Sequence, residues 1–383
     1  MARKHKITNG LIFHVGGAFA PGTVYMGGSR IVSEADYQAL PGEETVTDAN
    51  GGYVIPGLTD IHFHGCMGSD CCDGTQEAFQ TIAAYELSQG VTSITPATMT
   101  MPKETLEQIC RTANGFSCEN GADFCGLYME GPFISPAKKG AQNANNICLA
   151  DTSLFHRLQE LSGNAFRTVA IAPETEGAME FIAQNSGNVR ISLAHTTADY
   201  DTAQKAFSLG ASQLTHMYNA MPPFTHRAPG PIGAAADDPG CMVELICDGV
   251  HIHPSAVRAS FKIFGDDRII FISDSMRATG MADGTYDLGG QAVTVTGNLA
   301  VLEDGTLAGS ATNLMGCLRT AVLSMGIPLE SAVKCATVNP AKAVGILEDY
   351  GTLEAGKYAN IAILSKDLGL CAVFHKGIQA ALQ

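Results

Sequence analysis

Charge is scarce in this chain. Only 16% of its 383 residues are Asp, Glu, Lys or Arg, against 45% hydrophobic types. A disordered chain needs the opposite balance, and this much apolar material suffices for one large core plus a smaller satellite domain. Positive charge is scarcer still: Lys and Arg total 23 against 38 Asp and Glu, a formal net charge of −15. That balance excludes nucleic acid and anionic membrane from the expected partners. It leaves room for a small anionic substrate, because a single Arg, His or helix N-terminus can hold a phosphate. Long apolar runs are also missing, and none follows the basic start Met1-Ala-Arg-Lys-His-Lys before Pro21. Neither a signal peptide nor a membrane span is expected. The 12 cysteines lack C-x-x-C spacing and are expected as reduced thiols of a cytoplasmic protein. Cys71 and Cys72 lie near a metal-like motif, but adjacent cysteines rarely ligate one ion together.

What is present is a change of rhythm along the chain. The first fifty residues alternate short strand runs, Ile7 to His14, Thr23 to Met26 and Arg30 to Val32, with Gly and Pro; this reads as a small β unit. Ala359 to Leu364 and Ala372 to His375 repeat the pattern at the other end, so the two ends are expected to pair into one β domain. Between them apolar strands alternate with amphipathic helical stretches. The strands are Val54–His64, Val91–Thr98, Asp123–Glu130, Thr168–Pro173, Arg190–His195, Gln213–His216, Met242–Asp248 and Arg268–Asp274. Six helical stretches, from Gln76–Gln89 to Pro254–Phe264, separate most of them. The sixth and seventh strands are expected to be joined by a Pro-rich irregular segment. Eight strands over roughly 220 residues suit a (β/α)8 TIM-like barrel, with a doubly wound open sheet as the rival. The expected domains are 1–54 with 350–383, and 55–349.

The polar residues fall at the ends of these strands. His62 and His64 close the first, Glu130 the third, His195 the fifth, His216 the sixth, Asp248 the seventh and Asp274 the eighth. In a barrel those ends converge on one face, where active sites are built. Seven of the eleven histidines (His62, His64, His195, His216, His226, His251 and His253) lie at or just beyond such ends. Residues i and i+2 of a strand share a side, so His62 and His64 can face one ion; alone, the pair would serve equally as two structural histidines. Glu130 could be a solvated strand exit before Gly-Pro. Among histidines at a barrel mouth, however, it is a good ligand for a divalent cation, and with His195 and His216 it completes a two-His, one-carboxylate set. Asp274 can take a proton from water and return it to a leaving amine, or else orient a histidine. After the sixth strand, Asn219 and Arg227 are polar candidates; generic loop polarity accounts for His226 and His253.

The motifs together resemble the N-acetylglucosamine-6-phosphate deacetylases of the amidohydrolase superfamily. The carriers are Pro56-Gly-Leu-Thr-Asp-Ile-His-Phe-His-Gly, Met129-Glu-Gly-Pro-Phe with Lys138-Lys-Gly-Ala, Leu193-Ala-His-Thr and Leu214-Thr-His-Met-Tyr-Asn-Ala-Met. Asp248-Gly-Val-His, Ser273-Asp-Ser-Met-Arg-Ala-Thr-Gly, Ala336-Thr-Val-Asn-Pro-Ala and Gly356-Lys-Tyr-Ala-Asn extend the likeness over most of the chain. The resemblance implies a barrel with a β-sandwich formed by both termini. It implies the principal metal on Glu130, His195 and His216, and Asp274 as acid/base. Substrate contacts would come from Ala141, Gln142, Asn219, Ala220, Arg227, Asp248, His251, Leu307, Ala308 and Gly309. It implies a phosphorylated N-acetyl amino sugar as substrate, in amino-sugar catabolism, and a homodimer in which Arg227 reaches the neighbouring site. Some relatives have histidine in place of Gln142, and some lack the H-x-H pair and hold one metal. Here His62 and His64 are both present, so one or two ions per chain are expected, zinc first, with iron or another divalent ion as the alternative. The rival readings are the galactosamine isomer, another amidohydrolase, or a scaffold without catalysis.

Overall fold

The computed structural model describes residues 4–382. Its centre is a ring of parallel strands whose residues are almost all buried: Leu58–Asp60, Val91–Ile94 continued by Ala97–Thr98, Leu127–Glu130, Phe166–Ile171, Arg190–Leu193, Gln213–Leu214, Met242–Ile246 and Ile269–Ile272. Neighbouring strands are hydrogen-bonded in this order from the first to the eighth. The ring closes at its C-terminal rim, where Asp274 N–H donates to His62 O (3.0 Å) and His64 N–H to Ser275 O (2.7 Å). The open-sheet alternative is therefore excluded. Continuous runs such as Ile269–Ile272, fully buried, are what a parallel strand covered on both faces requires, each large apolar side chain contributing about 1.5–3 kcal/mol.

Helices cover the outside, and their starts are chemically marked. Thr75, Asp151, Asp199 and Asn313 each accept a backbone N–H of the helix that follows, satisfying donors that the first turn leaves free. Between the sixth and seventh strands the Pro-rich segment does lead into a helix, Gly230–Asp237. Its Gly-Pro-Ile-Gly-Ala-Ala-Ala sequence has a Pro in the first turn, where no intrahelical N–H is needed, and an alanine run behind it.

The two chain ends build one eight-stranded mixed sheet containing Lys4–His14, Ala18–Gly27 and Ile361–Leu364. It folds back on itself: Ile31 N–H donates to Lys357 O and Ala359 N–H to Ser29 O, both at 2.9 Å. The enclosed core includes Ile7, Met26, Val54, Ile361 and Phe374.

The expected first strand, Val54–His64, is in fact two. Tyr53–Pro56 pairs with Ile361–Leu364 in the terminal sheet, while Leu58–Asp60 joins the barrel. The switch is at Gly57, where a Cβ would stand 2.3 Å from both Cγ2 and Oγ1 of buried Thr92. Gly57→Ala is expected to destabilise the fold by about 1–3 kcal/mol, measurable as a lower midpoint in urea at unchanged slope. A wild-type midpoint would contradict this packing. The expected strand Asp123–Glu130 is likewise interrupted at Cys125-Gly126. A three-stranded antiparallel insert, Gly284–Leu288, Gln291–Thr296 and Leu299–Leu302, was not foreseen. None of the twelve cysteines is paired, and no helix among the described residues is long and apolar enough to cross a membrane.

Candidate active site and metal centre

The strand ends deliver their polar residues to one place. Glu130 Oε1 lies 3.0 Å from Nε2 of both His195 and His216, whose Nε2 atoms are 3.2 Å apart. His64 Nε2 is 3.2 Å from Glu130 Oε2 and 3.3 Å from Asp274 Oδ1. His62 Nε2 is 3.6 Å from Glu130 Oε1 and 3.9 Å from Asp274 Oδ1. All six residues are at most 8% exposed. His195, His216 and Asp274 have φ of 44, 28 and 48°. These left-handed values are uncommon for side-chain-bearing residues and concentrate where surrounding structure enforces them at functional sites.

The proton inventory shows what the cluster lacks. His195 Nδ1 is 2.9 Å from Lys138 O, and a carbonyl can only accept, so Nδ1 carries a proton and Nε2 is the nitrogen turned to Glu130. His62 Nδ1 is 2.9 Å from the Glu244 carboxylate, so Nδ1 carries a proton and Nε2 is the nitrogen left toward the cluster, buried and without a hydrogen-bond partner. Buried imidazole nitrogens packed this closely against carboxylate oxygens call for positive charge between them, from protons or from a bound cation. The spacings of 3.0–3.9 Å bracket the edge of about 3.3 Å that tetrahedral ligands about 2.05 Å from an ion would have. Two groups meet this requirement, His62 with His64 and Asp274, and Glu130 with His195 and His216. The donor set thus fits divalent cations bound by imidazole and carboxylate. With protons alone, burial opposes ionisation of His64, but Asp274 and Glu130 outweigh it and push the ring up to about 10. Burial likewise opposes the charge on Glu130, and the bonds to His195, His216, His62 and His64 still hold its carboxyl well below the ordinary range.

Above the cluster is a cavity of about 350 Å³. Ala141, Gln142, Asn219, Ala220, His251, Leu307, Ala308 and Gly309 all line it, with His64, Glu130, His195, His216 and Asp274 at its floor. Asp248 does not line it. Its Oδ1 accepts the N–H groups of Val250 and His251, and its Oδ2 lies 2.7 Å from His251 Nδ1. Since His251 Nε2 donates to Ala308 O at 3.0 Å, both ring nitrogens carry protons. Burial opposes that charge, but Asp248 more than restores it and raises the His251 pKa. Gln142 is fixed in one orientation: Oε1 accepts Thr100 N–H (2.7 Å), and Nε2 donates to Glu130 Oε2 (2.6 Å). Arg227 is exposed and does not line this cavity in its own chain. Cys72 Sγ accepts Met99 N–H, and neither Cys71 nor Cys72 belongs to a metal group.

Sequence reasoning missed Met99, Lys138, Leu288 and Thr306 on the cavity wall, and Glu244 beneath it. The one available signal for Glu244 was its charge inside the otherwise apolar run Met242-Val-Glu-Leu-Ile. For Leu288 it was the Val-Thr-Val-Thr alternation of the insert that carries it.

The model of the amidohydrolase family matches residues 53–380. The chain belongs to that family. Among similar proteins, the N-acetylglucosamine-6-phosphate deacetylase of Bacillus subtilis (strain 168) is 36% identical over 85% of this amidohydrolase and 83% of its own length. The N-acetylgalactosamine-6-phosphate deacetylase of Escherichia coli O157:H7 is 33% identical over 87% and 89%. A solved structure of a mutant N-acetyl-D-glucosamine-6-phosphate deacetylase from Mycobacterium smegmatis, in complex with N-acetyl-D-glucosamine-6-phosphate, matches with TM-score 0.90 and 30% identity. That match covers 99% of this amidohydrolase and 100% of the other chain.

Proposed function

We propose that this amidohydrolase cleaves the acetamide of N-acetyl-D-glucosamine 6-phosphate to D-glucosamine 6-phosphate and acetate. The observation that carries the reading is the pair of imidazole–carboxylate groups joined at Glu130 on the floor of the cavity. We assign two divalent ions, zinc first, one to Glu130, His195 and His216 and one to His62, His64 and Asp274. When bound, such ions polarise a carbonyl and lower the pKa of water toward about 7. Asp274 takes the proton of the attacking water and returns it to the leaving nitrogen. The acetyl oxygen is received by Gln142, whose second N–H rests on Met99 Sδ at 3.6 Å, a weak acceptor that a carbonyl displaces. The cationic His251 and the amide of Asn219 orient the sugar. The catalytic unit is the barrel, and its boundary lies at Gly57 and not at the expected 54/55, because Ile55 and Pro56 pair with Ala362 and Ile361; the terminal sheet unit comprises residues 4–56 with 350–382 of those described. The protein is cytoplasmic in this reading.

Among the described residues no arginine lines the cavity, whose basic side chains outside the cluster are Lys138 and His251; we assign the phosphate to Arg227 of a second copy in a homodimer, as the family resemblance implies. Arg227→Ala is expected to raise KM for the phosphorylated sugar about 10- to 100-fold, as loss of a charged hydrogen bond does, with metal content unchanged. An unaltered KM would remove Arg227 from the site. The galactosamine epimer is the second reading, because relatives of both names match with similar identity. Acetate release from the two 6-phosphates and from unphosphorylated N-acetylglucosamine decides. The proposal expects the glucosamine phosphate to be turned over fastest, and it fails if neither phosphate is a substrate.

A further inference from the structure

Glu244 sits in the middle of the seventh barrel strand, Met242–Ile246, with no exposure at all. Burying a carboxylate is costly unless every oxygen is matched. Here Oε1 accepts Gln213 Nε2 at 2.6 Å, and Oε2 lies 2.9 Å from His62 Nδ1 and 3.1 Å from His216 N. Among the described residues His62 is its one ion-pair partner. The His62 ring is also stacked on Tyr128, with centroids 4.2 Å apart and planes 21° from parallel. The stack sets the ring plane and the carboxylate sets its rotation and tautomer. Together they leave Nε2 buried, unpartnered and turned toward Glu130 and Asp274.

We propose that Glu244 is a positioning residue that makes His62 a ligand and so determines whether the His62, His64 and Asp274 group retains its cation. This rests on the two-ion reading above. A carboxylate behind a histidine fixes the ring and raises its basicity, and removal of such a support costs about 10- to 100-fold in metal affinity. The oxygen of Glu244 that holds the His62 ring also holds the main chain of His216, a residue of the other group. Glu244→Gln is compatible with the fold: the buried Gln213 Oε1 has no partner, and after an amide flip it can accept the new N–H. The new carbonyl then keeps His62 and His216 N–H, but without the charge.

The test is titration of metal-free protein with Zn²⁺ against a chromophoric chelator. Wild type is expected to bind two equivalents, and His62→Ala identifies the one that depends on His62. Glu244→Gln is expected to weaken that equivalent about 10- to 100-fold and leave the other unchanged. Two unweakened equivalents in Glu244→Gln would overturn the role of Glu244 while leaving the two-ion reading intact. Fewer than two in wild type would overturn both. If circular dichroism shows Glu244→Gln unfolded, Gln213→Ala reads the same support: freeing Oε1 should loosen the same equivalent, and a wild-type titration would overturn the inference.

Discussion

Asp274→Asn is expected to lower turnover by roughly 10²–10⁴-fold, the usual worth of a general acid–base, while leaving the protein folded. Two features make this variant informative. Asp274 has φ 48°, and asparagine is among the residues that tolerate this left-handed conformation best. Its backbone bonds, N–H to His62 O and O from Ser310 N–H (2.7 Å), do not involve the side chain and hold the loop in place. The amide keeps one oxygen facing His64 but cannot take up a proton. Acetate-release assays would show a lower kcat with KM little changed, because the lost interaction belongs to the transition state. If Asp274 only oriented His64, the amide oxygen would still serve, and near-normal kcat would return Asp274 to that lesser role.

Glu130→Gln is expected to lose metal as well as activity. The Glu130 oxygens meet two kinds of neighbour: Oε1 faces the imidazole nitrogens of His195 and His216, and Oε2 accepts the Gln142 N–H beside His64 Nε2. In the variant the amide nitrogen would turn toward the imidazoles, since on the other side donor would face donor. It would then satisfy the lone pairs that a cation needs, so the fold survives while the centre is blocked. Metal affinity should fall more than 100-fold, beyond the range seen for residues that only support a ligand, and turnover should drop to background. Metal analysis after dialysis checks this, and a Glu130→Gln protein retaining full metal would contradict the assignment.

The six residues of the histidine–carboxylate cluster were legible because each follows an apolar strand run, and barrel geometry converts that position into proximity. His62-Phe-His64 lies just past the strand Leu58–Asp60, not within it as expected, yet its i, i+2 spacing still brings both rings to Glu130. The supports were harder to see. Glu244 stands in a five-residue run whose other members are apolar, and strand alternation does not reveal which ring its carboxylate meets 182 positions earlier. Asp248 shared the strand-end signal of the cluster residues, yet its side chain is spent on holding His251. The helix Gly230–Asp237 was hidden because its glycines and proline read as turn chemistry, although the packing of Ile232, Ala234 and Ala235 at 0–1% exposure stabilises it. Gly57 carried no sign that one strand run would be divided between two sheets; that follows from its contact with Thr92, which only the fold creates.

The floor of this cavity is proposed to need divalent cations to release acetate from a phosphorylated amino sugar. The decisive measurement is stepwise addition of Zn²⁺ to metal-free protein, with acetate release from N-acetylglucosamine 6-phosphate followed at each step. No release is expected without metal, with recovery that rises with the equivalents bound. Release at full rate by metal-free protein, or none with Zn²⁺ or any other divalent ion, would rule out a metal-dependent deacetylase.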